Sequence, residues 1–174
     1  LDVWRPADAT ETAIAWISGV ERADGPTLLA LSRQNLPTVT QNAADADIAR
    51  GGYVLAENTD AQITLIATGS EVKLALDAQA ALAGEGIAAR VVSMPCTNVF
   101  DRQSDEYKTS VLGACRKRIA IEAAHPDFWR KYVGLHGAVI GIDRFGESAP
   151  AGQLFEMFGF TVGNVVATAK SLLS

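Results

Sequence analysis

The sequence predicts an α/β fold, a three-layer sandwich with a mostly parallel sheet that is preceded by the remnant of a second α/β domain. Two observations carry this prediction. After residue 60, short apolar runs alternate with segments of helical periodicity, as expected when helices connect parallel strands. Before residue 37, the chain supplies one strand, one helix and one further strand, which is too little to complete a sheet.

Local signals define the first elements. A strand is expected to end at Pro6, whose ring cannot continue it. Asp8 and Glu11 stand three residues apart in the pattern of a capping box, and the helix that follows is predicted to reach about residue 21. After a turn, the apolar run 27–31 predicts a short buried strand. The remaining partners of these elements are expected to lie elsewhere.

Residues 37–60 are predicted to be a linker, because the stretch is largely polar and has no clear period, with a turn of helix near 45–48 and an edge strand at 53–55. From residue 61 the pattern becomes regular. Ser148 is predicted to cap the penultimate helix, with Pro150 in its first turn. The predicted strands are 63–67, 89–94, 118–122 and 138–142, and the predicted helices are 71–83, 105–112, 149–158 and 162–173.

Charge and composition exclude several classes of partner. The net charge is −5, and all of it resides in residues 1–60. No basic stripe is present, so neither nucleic acid nor an anionic membrane is expected as a partner. No apolar run approaches the roughly 18 residues needed to span a bilayer. Cys96 and Cys115 form no metal-binding or redox pattern and are predicted to be reduced thiols, as in cytoplasmic proteins. A start at Leu1 favours a processed or truncated chain.

The turn Leu31-Ser32-Arg33-Gln34-Asn35 holds the most informative polar group. It places an arginine at the carboxyl end of a strand, where open α/β sheets bind ligands. The planar guanidinium suits phosphate because it donates two parallel charge-assisted hydrogen bonds. The residues alone leave two interpretations open. Arg33 binds an anionic ligand, or it pairs with one of the nine carboxylates in residues 1–60.

The segment Thr68–Glu71 is a second candidate, because it brings backbone N–H groups and a hydroxyl to a helix N-terminus that could receive an anion. The pattern is neither a dinucleotide fingerprint nor a Walker loop. A helix cap formed by Ser70 and Glu71 explains the same residues without any ligand.

Glu122 and His125, at and just beyond the end of the predicted strand 118–122, are a third candidate site. They could form a general acid–base pair or two metal ligands. His136 is too distant in sequence to complete such a metal site, and a structural pair that stabilises the loop is the alternative. The nearby aromatic residues Phe128, Trp129 and Tyr132 are predicted to pack in the core or an interface.

Several segments, taken in order, resemble the transketolase family. The resemblance covers essentially the whole chain, and the number of segments at matching separations makes it specific. In the first part of the chain these segments are Trp4–Asp8, Gly25–Thr27, Leu31–Pro37 and Ile48–Leu55. In the second part they are Ala67–Val72, Arg90–Pro95, Lys131–Gly134, Phe145–Ala151 and Phe158–Val162.

The resemblance implies three regions. Residues 1–36 correspond to the end of the pyrimidine-binding domain, residues 37–60 to a linker and residues 61–174 to the C-terminal domain. Transketolases are cytoplasmic homodimers of the pentose phosphate pathway that require thiamine diphosphate and Mg²⁺. They transfer a two-carbon ketol unit from a ketose phosphate to an aldose phosphate. The family pattern assigns Arg33 to the substrate phosphate.

The chain also departs from the complete family pattern. It lacks the diphosphate and Mg²⁺ domain, the glutamate that activates the cofactor and the upstream substrate-binding residues. We therefore expect these 174 residues alone to be inactive and to bind neither cofactor nor metal. Two other interpretations are a stand-alone metabolite- or nucleotide-binding regulatory module that uses Thr68–Glu71, and a dimerisation domain built from 61–174.

Overall fold

In the computed structural model, which describes residues 1–174, the chain forms two β-sheets and eight α-helices. The strands are β1 (Asp2–Trp4), β2 (Thr27–Leu29), β3 (Tyr53–Ala56), β4 (Ile63–Ala67), β5 (Ala89–Ser93), β6 (Arg118–Ile121) and β7 (Ala138–Ile140). The helices are α1 (Ala9–Glu21), α2 (Asp45–Ile48), α3 (Glu71–Gly84), α4 (Thr97–Asp101), α5 (Asp105–Leu112), α6 (Arg130–Val133), α7 (Ala151–Met157) and α8 (Val162–Leu173). A 3₁₀ turn, Pro126–Trp129, precedes α6.

The larger sheet has five strands in the order β3-β5-β4-β6-β7. Its last four strands are parallel, and β3 pairs with β5 in the antiparallel direction at one edge. The predicted mostly parallel sheet and the predicted edge strand are therefore confirmed. The crossovers are helical because parallel strands cannot be joined by a tight turn.

Both faces of this sheet are covered, which completes the three layers. In β4, Leu65 faces the layer formed by α3 and α8, whereas its neighbour Ile66 faces the layer formed by α4, α5 and α6. All five residues of β4 are buried. Burial on both faces explains why the strands appear in the sequence as continuous apolar runs without alternation.

The smaller sheet contains only β1 and β2, which are parallel and joined by α1. The capping box is confirmed at its first arm, since the Asp8 carboxylate accepts the Glu11 N–H at 3.1 Å. The prediction of a buried strand at 27–31 is wrong. The strand is three residues long and Leu28 is 45 % exposed, because β2 has a single neighbouring strand and no helix over that face.

Two further expectations need correction. Ser148 does not cap α7. The helix begins at Ala151, because Pro150 at the N-cap has an extended ψ of 139°, and no side chain caps this end. The short helices α4 and α6 were not predicted, since four or five residues are too few to show a helical period.

No helix combines the length and the apolar character that crossing a membrane would require.

Candidate functional site

The crossover pattern places a crevice between β4 and β6. The chain leaves β4 toward β5 on one side, and later returns to β6 on the other side of β4. In open α/β sheets the crevice at the carboxyl end of such a switch point is the usual ligand site. The two predicted segments Thr68–Glu71 and Glu122–His125 follow β4 and β6, so the fold brings them to this one edge.

Arg5, from the end of β1, occupies this crevice. Its guanidinium pairs with the Glu122 carboxylate, and its Nη2 lies 4.0 Å from Oε1 of Glu71. Its backbone carbonyl accepts hydrogen bonds from the Gly69 N–H at 3.0 Å and from the Thr68 hydroxyl at 3.1 Å. Gly69 has a positive φ of 58°, a conformation that favours glycine. Two donors that could have received an anion, the Thr68 hydroxyl and the Gly69 N–H, are thus already bound to the Arg5 carbonyl.

The helix cap predicted at Ser70 and Glu71 is not formed as expected. Ser70 makes no capping hydrogen bond, and its hydroxyl instead donates to Glu71 Oε2 at 2.8 Å. Glu71 is fully buried and accepts the Ala123 N–H at 2.7 Å. The carboxylate therefore joins the ends of β4 and β6 and supports the crevice wall.

Glu122 and His125 do not form an acid–base pair. Glu122 is buried and accepts a hydrogen bond from the indole N–H of Trp129 in addition to its pairing with Arg5. The His125 side chain is 63 % exposed, and its Nδ1 accepts the Asp127 N–H at 3.4 Å at the start of the 3₁₀ turn. The expected structural pair is not formed either: Glu122 contacts Trp129 and Arg5, whereas His125 caps the 3₁₀ turn, so each residue stabilises the loop through its own partner. The structure contains no group of three His, Cys, Asp or Glu side chains that could hold a metal ion.

The aromatic residues of this segment behave as predicted in part. Trp129 and Tyr132 are buried in the core layer beneath the sheet, 5.4 Å apart between ring centroids. Phe128 is 50 % exposed and lines a cavity of about 420 Å³ with Arg5 and His125.

A buried carboxylate fixes α1 to the larger sheet. Glu11 is fully buried and accepts three hydrogen bonds, from the Ala7 N–H at 2.6 Å, the Tyr53 hydroxyl at 2.8 Å and the Ser93 hydroxyl at 2.6 Å. Burial raises the pKa of Glu11, and the hydrogen bonds oppose that rise. The reciprocal arm of the capping box therefore goes to Ala7 and not to Asp8.

Asp8 holds the linker against the start of α1. Its carboxylate accepts the N–H groups of Val39 at 2.8 Å and Thr40 at 2.9 Å, together with the Thr40 hydroxyl. Burial alone would raise the pKa of Asp8, but the hydrogen bonds from Thr40, Val39 and Glu11 together lower it.

The turn that carries Arg33 lies beside the crevice. Ser32 borders two cavities, one of about 410 Å³ shared with Arg5 and Ser70, and one of about 490 Å³ shared with Asp8 and Gln34. Arg33 is exposed and has no carboxylate within 4.0 Å. The ion pair that the sequence left open as an alternative is therefore not formed. The guanidinium is free to bind an anion.

Sequence reasoning missed Arg5 as a residue of this edge. The only signal was its position between a short strand and Pro6, which indicated a strand end. Its partners Glu71 and Glu122 are far away in sequence, so no local pattern could have joined the three residues.

Comparison with known proteins places the chain in a family. Residues 51–161 match the family model described as the transketolase-like TK C-terminal domain. The chain is 56% identical over 176 residues to transketolase 1 of Escherichia coli strain K12. This match covers 99% of this chain and 26% of that protein. It is 54% identical over 179 residues to transketolase 2 of Pasteurella multocida strain Pm70, with 99% of this chain and 27% of that protein covered.

Solved structures agree with the sequence matches. A transketolase from Pichia stipitis, in complex with sedoheptulose 7-phosphate, superposes with a TM-score of 0.92 at 41% identity and covers 99% of this chain and 25% of that one. A split-gene transketolase described as an inactive β4 tetramer has a TM-score of 0.76 at 26% identity, over 99% of this chain and 56% of that one. The chain spans about a quarter of the length of the curated relatives it matches. It belongs to the transketolase family.

Proposed function

We propose that this chain is the C-terminal part of a transketolase that transfers a two-carbon ketol unit from a ketose phosphate to an aldose phosphate. The observation that supports it most is similarity to transketolases over the whole chain, including a relative solved with sedoheptulose 7-phosphate. Residues 1–36 are then the end of the pyrimidine-binding domain, 37–60 the linker and 61–174 the C-terminal domain. The enzyme would act as a cytoplasmic homodimer in the pentose phosphate pathway.

Thiamine diphosphate and Mg²⁺ belong to the proposal for the whole enzyme, but the residues present here do not fit either group. The structure has no cluster of three metal-binding side chains. Its buried carboxylates Glu11, Glu71 and Glu122 are already bound by donors of the protein itself. We therefore place both groups on parts of the enzyme outside this chain, and the 174 residues alone are proposed to be inactive.

Within this proposal, Arg33 binds the substrate phosphate. Three features support the role: the side chain is exposed, no carboxylate neutralises it, and its turn borders the cavity at the carboxyl edge of the sheet. A phosphate held far from the reacting carbons supplies binding and orientation and does not take part in bond chemistry. Arg5 lines the same cavity as Ser32 but is already paired with Glu122, whereas Arg33, the next residue after Ser32, has no acidic partner.

The test is the Arg33→Ala variant in the full-length enzyme. We expect a higher KM for phosphorylated sugars, equivalent to a loss of about 2–4 kcal/mol, because a charge-assisted contact disappears. Unphosphorylated sugars should be nearly unaffected. Arg116→Ala is the matched control, since Arg116 is also exposed and precedes β6, at the opposite edge of the sheet. Equal effects of Arg33→Ala on both kinds of substrate would exclude the role.

The alternative, a stand-alone metabolite- or nucleotide-binding module, has less support. It would use the donors at Thr68–Glu71, and the Arg5 carbonyl already accepts the Thr68 hydroxyl and the Gly69 N–H. Isothermal titration of the 174-residue chain with nucleotides distinguishes the two, because saturable binding would favour the module.

A further inference from the structure

We propose that Arg5 is a positioning residue for substrate binding. By joining the end of β1 to the carboxyl edge of the larger sheet, it fixes the place where the Arg33 guanidinium meets the substrate phosphate. The proposal rests on the proposed function, since it requires Arg33 as the phosphate contact. Arg5 itself touches no substrate in this proposal and acts only through the turn that carries Arg33.

Arg5 is held from two directions. Its N–H donates to the Pro95 carbonyl at 2.7 Å, and its own carbonyl accepts the Gly69 N–H at 3.0 Å. The guanidinium pairs with Glu122 and approaches Glu71 at 4.0 Å. The backbone hydrogen bonds hold the end of β1 against the segments that contain Pro95 and Gly69, and the ion pair holds it against the end of β6. Arg5 therefore connects the small sheet to the segments that follow β4, β5 and β6.

A short path leads from Arg5 to the Arg33 turn. The carbonyl of Trp4, the preceding residue, accepts the Ala30 N–H at 2.8 Å, which ties the end of β1 to the residue that follows β2. Arg5 and Ser32 also line the same cavity of about 410 Å³, opposite Ser70. A displacement of Arg5 would therefore shift the base of the turn and, with it, the guanidinium of Arg33.

The charges explain why a cation is needed at this position. Glu122 and Glu71 are buried, and Arg5 is the one basic side chain that pairs with either of them. A neutral residue would leave Glu122 with the Trp129 indole as its side-chain partner and without a counter-charge. The crevice would then relax by moving β1 or by admitting water, and in both cases the turn would lose its fixed position. A displacement of 1 Å at a binding group can cost about 100-fold in rate.

The test compares two variants in the full-length enzyme. Arg5→Met is expected to raise the KM for a phosphorylated acceptor about tenfold, and to change the KM for an unphosphorylated acceptor by less than about twofold. If Arg5 acts through Arg33, the double variant Arg5→Met/Arg33→Ala should be no worse than Arg33→Ala alone, because the positioned group is already absent. Arg5→Lys should restore part of the effect.

A second ion pair between the same regions supplies the matched control. Arg102 donates two hydrogen bonds to Asp2, at 2.8 and 2.7 Å, at the other end of β1. Arg102→Met removes an ion pair of similar kind but leaves the Arg33 turn in place, so no selective change in KM is expected. If Arg5→Met fails to fold, as judged by circular dichroism, Glu122→Gln replaces it. That variant keeps an acceptor for Trp129, removes the charge and should give the same selective rise.

The possible results separate the two proposals. The positioning role would be supported if Arg33→Ala and Arg5→Met each raise the KM only for the phosphorylated substrate, and the double variant has no higher KM than Arg33→Ala. The role of Arg5 would be overturned, and that of Arg33 kept, if Arg33→Ala is selective but Arg5→Met raises the KM for both substrates equally. The same conclusion would follow if the effects of Arg5→Met and Arg33→Ala on KM are additive. Arg33→Ala without selectivity would overturn the phosphate contact and, with it, the positioning of that contact.

Discussion

Residues 61–174 and residues 1–36 are both built from strands and helices in alternation, but they are stabilised in different ways. In the first region, a sheet buried on both faces contains its own apolar core, with Leu65 and Ile66 of β4 fully buried on opposite sides. In the second, the two-stranded sheet has no helix over its Leu28 face, and Trp16, Val20 and Leu28 are exposed. The same local pattern therefore gives a sheet that is buried on both faces only where enough strands and helices are present.

The buried side chains of residues 1–36 show what holds this region in place. Trp4 packs with Cys96, and Ile14 packs with Ile48 and Tyr53, all of which lie beyond residue 36. The polar contacts made by Arg5, Glu11 and Asp2 also cross to other parts of the chain. The region that carries the Arg33 turn is thus held in place by contacts that β1 and α1 make with the rest of the chain.

The largest expected effect comes from Trp4→Ala in the 174-residue chain. Trp4 is 1 % exposed, and removing a buried indole costs about 3–5 kcal/mol. Because Trp4 packs between α1 and the C-terminal region, amide hydrogen exchange should accelerate in β1, α1 and β2. The amides of β4 and β6 should keep their protection.

Leu65→Ala is the matched control for that experiment. It is expected to cost about 2–5 kcal/mol and to reduce protection in both regions, since residues 1–36 depend on the sheet that Leu65 stabilises. If Trp4→Ala instead reduced the protection of β4 and β6 as much as that of α1, the two regions would be one cooperative unit.

The second prediction concerns Glu11→Ala, which leaves three buried donors unpaired. We expect a loss of about 1–3 kcal/mol in the free energy of unfolding, because the Tyr53 and Ser93 hydroxyls and the Ala7 N–H lose their acceptor. Denaturant unfolding measures this loss. Glu21→Ala, at the exposed end of the same helix, should have almost no effect. Similar losses for the two variants would show that the buried hydrogen bonds do not stabilise the contact.

The smallest expected effect is a difference in pH dependence between the two carboxylates at the start of α1. The pKa of Asp8 is lowered, so its stabilisation is present above about pH 3.8 and is lost as the pH falls through the folded-state pKa. The pKa of Glu11 is raised by burial, so its contribution is greatest below about pH 4.5 and decreases as the pH rises toward the folded-state pKa.

Unfolding curves of Asp8→Asn and Glu11→Gln across this range check the signs. The destabilisation caused by Asp8→Asn should shrink on acidification below about pH 3.8. The stability of the wild type relative to Glu11→Gln should decrease as the pH rises above about 4.5. Parallel curves for the two variants would contradict the opposite pKa shifts.

The parts of the fold that sequence predicts well are those set by local pattern. The strands β4 to β7 follow from apolar runs, and α1 follows from Asp8 and Glu11 at its start. The burial of β2 was predicted wrongly, because an apolar strand is buried only if other chain covers it, and sequence does not show whether any does.

The candidate site was predictable only in part for a related reason. Arg33 could be chosen because a cation in a turn after a strand has a physical meaning by itself. The role of Arg5 depends on Glu71 and Glu122 meeting at one sheet edge, which is a consequence of strand order and not of any local pattern. Ser148 failed as a cap because the extended Pro150 delays the start of α7.

The phosphate-binding role of Arg33 is tested most directly by a crystal structure of the full-length enzyme with a phosphorylated sugar bound. In that structure, the Arg33 guanidinium is expected to donate hydrogen bonds to the phosphate oxygens while Arg5 remains paired with Glu122. A phosphate bound elsewhere, with Arg33 still exposed and unpaired, would contradict the assignment of this turn to the substrate.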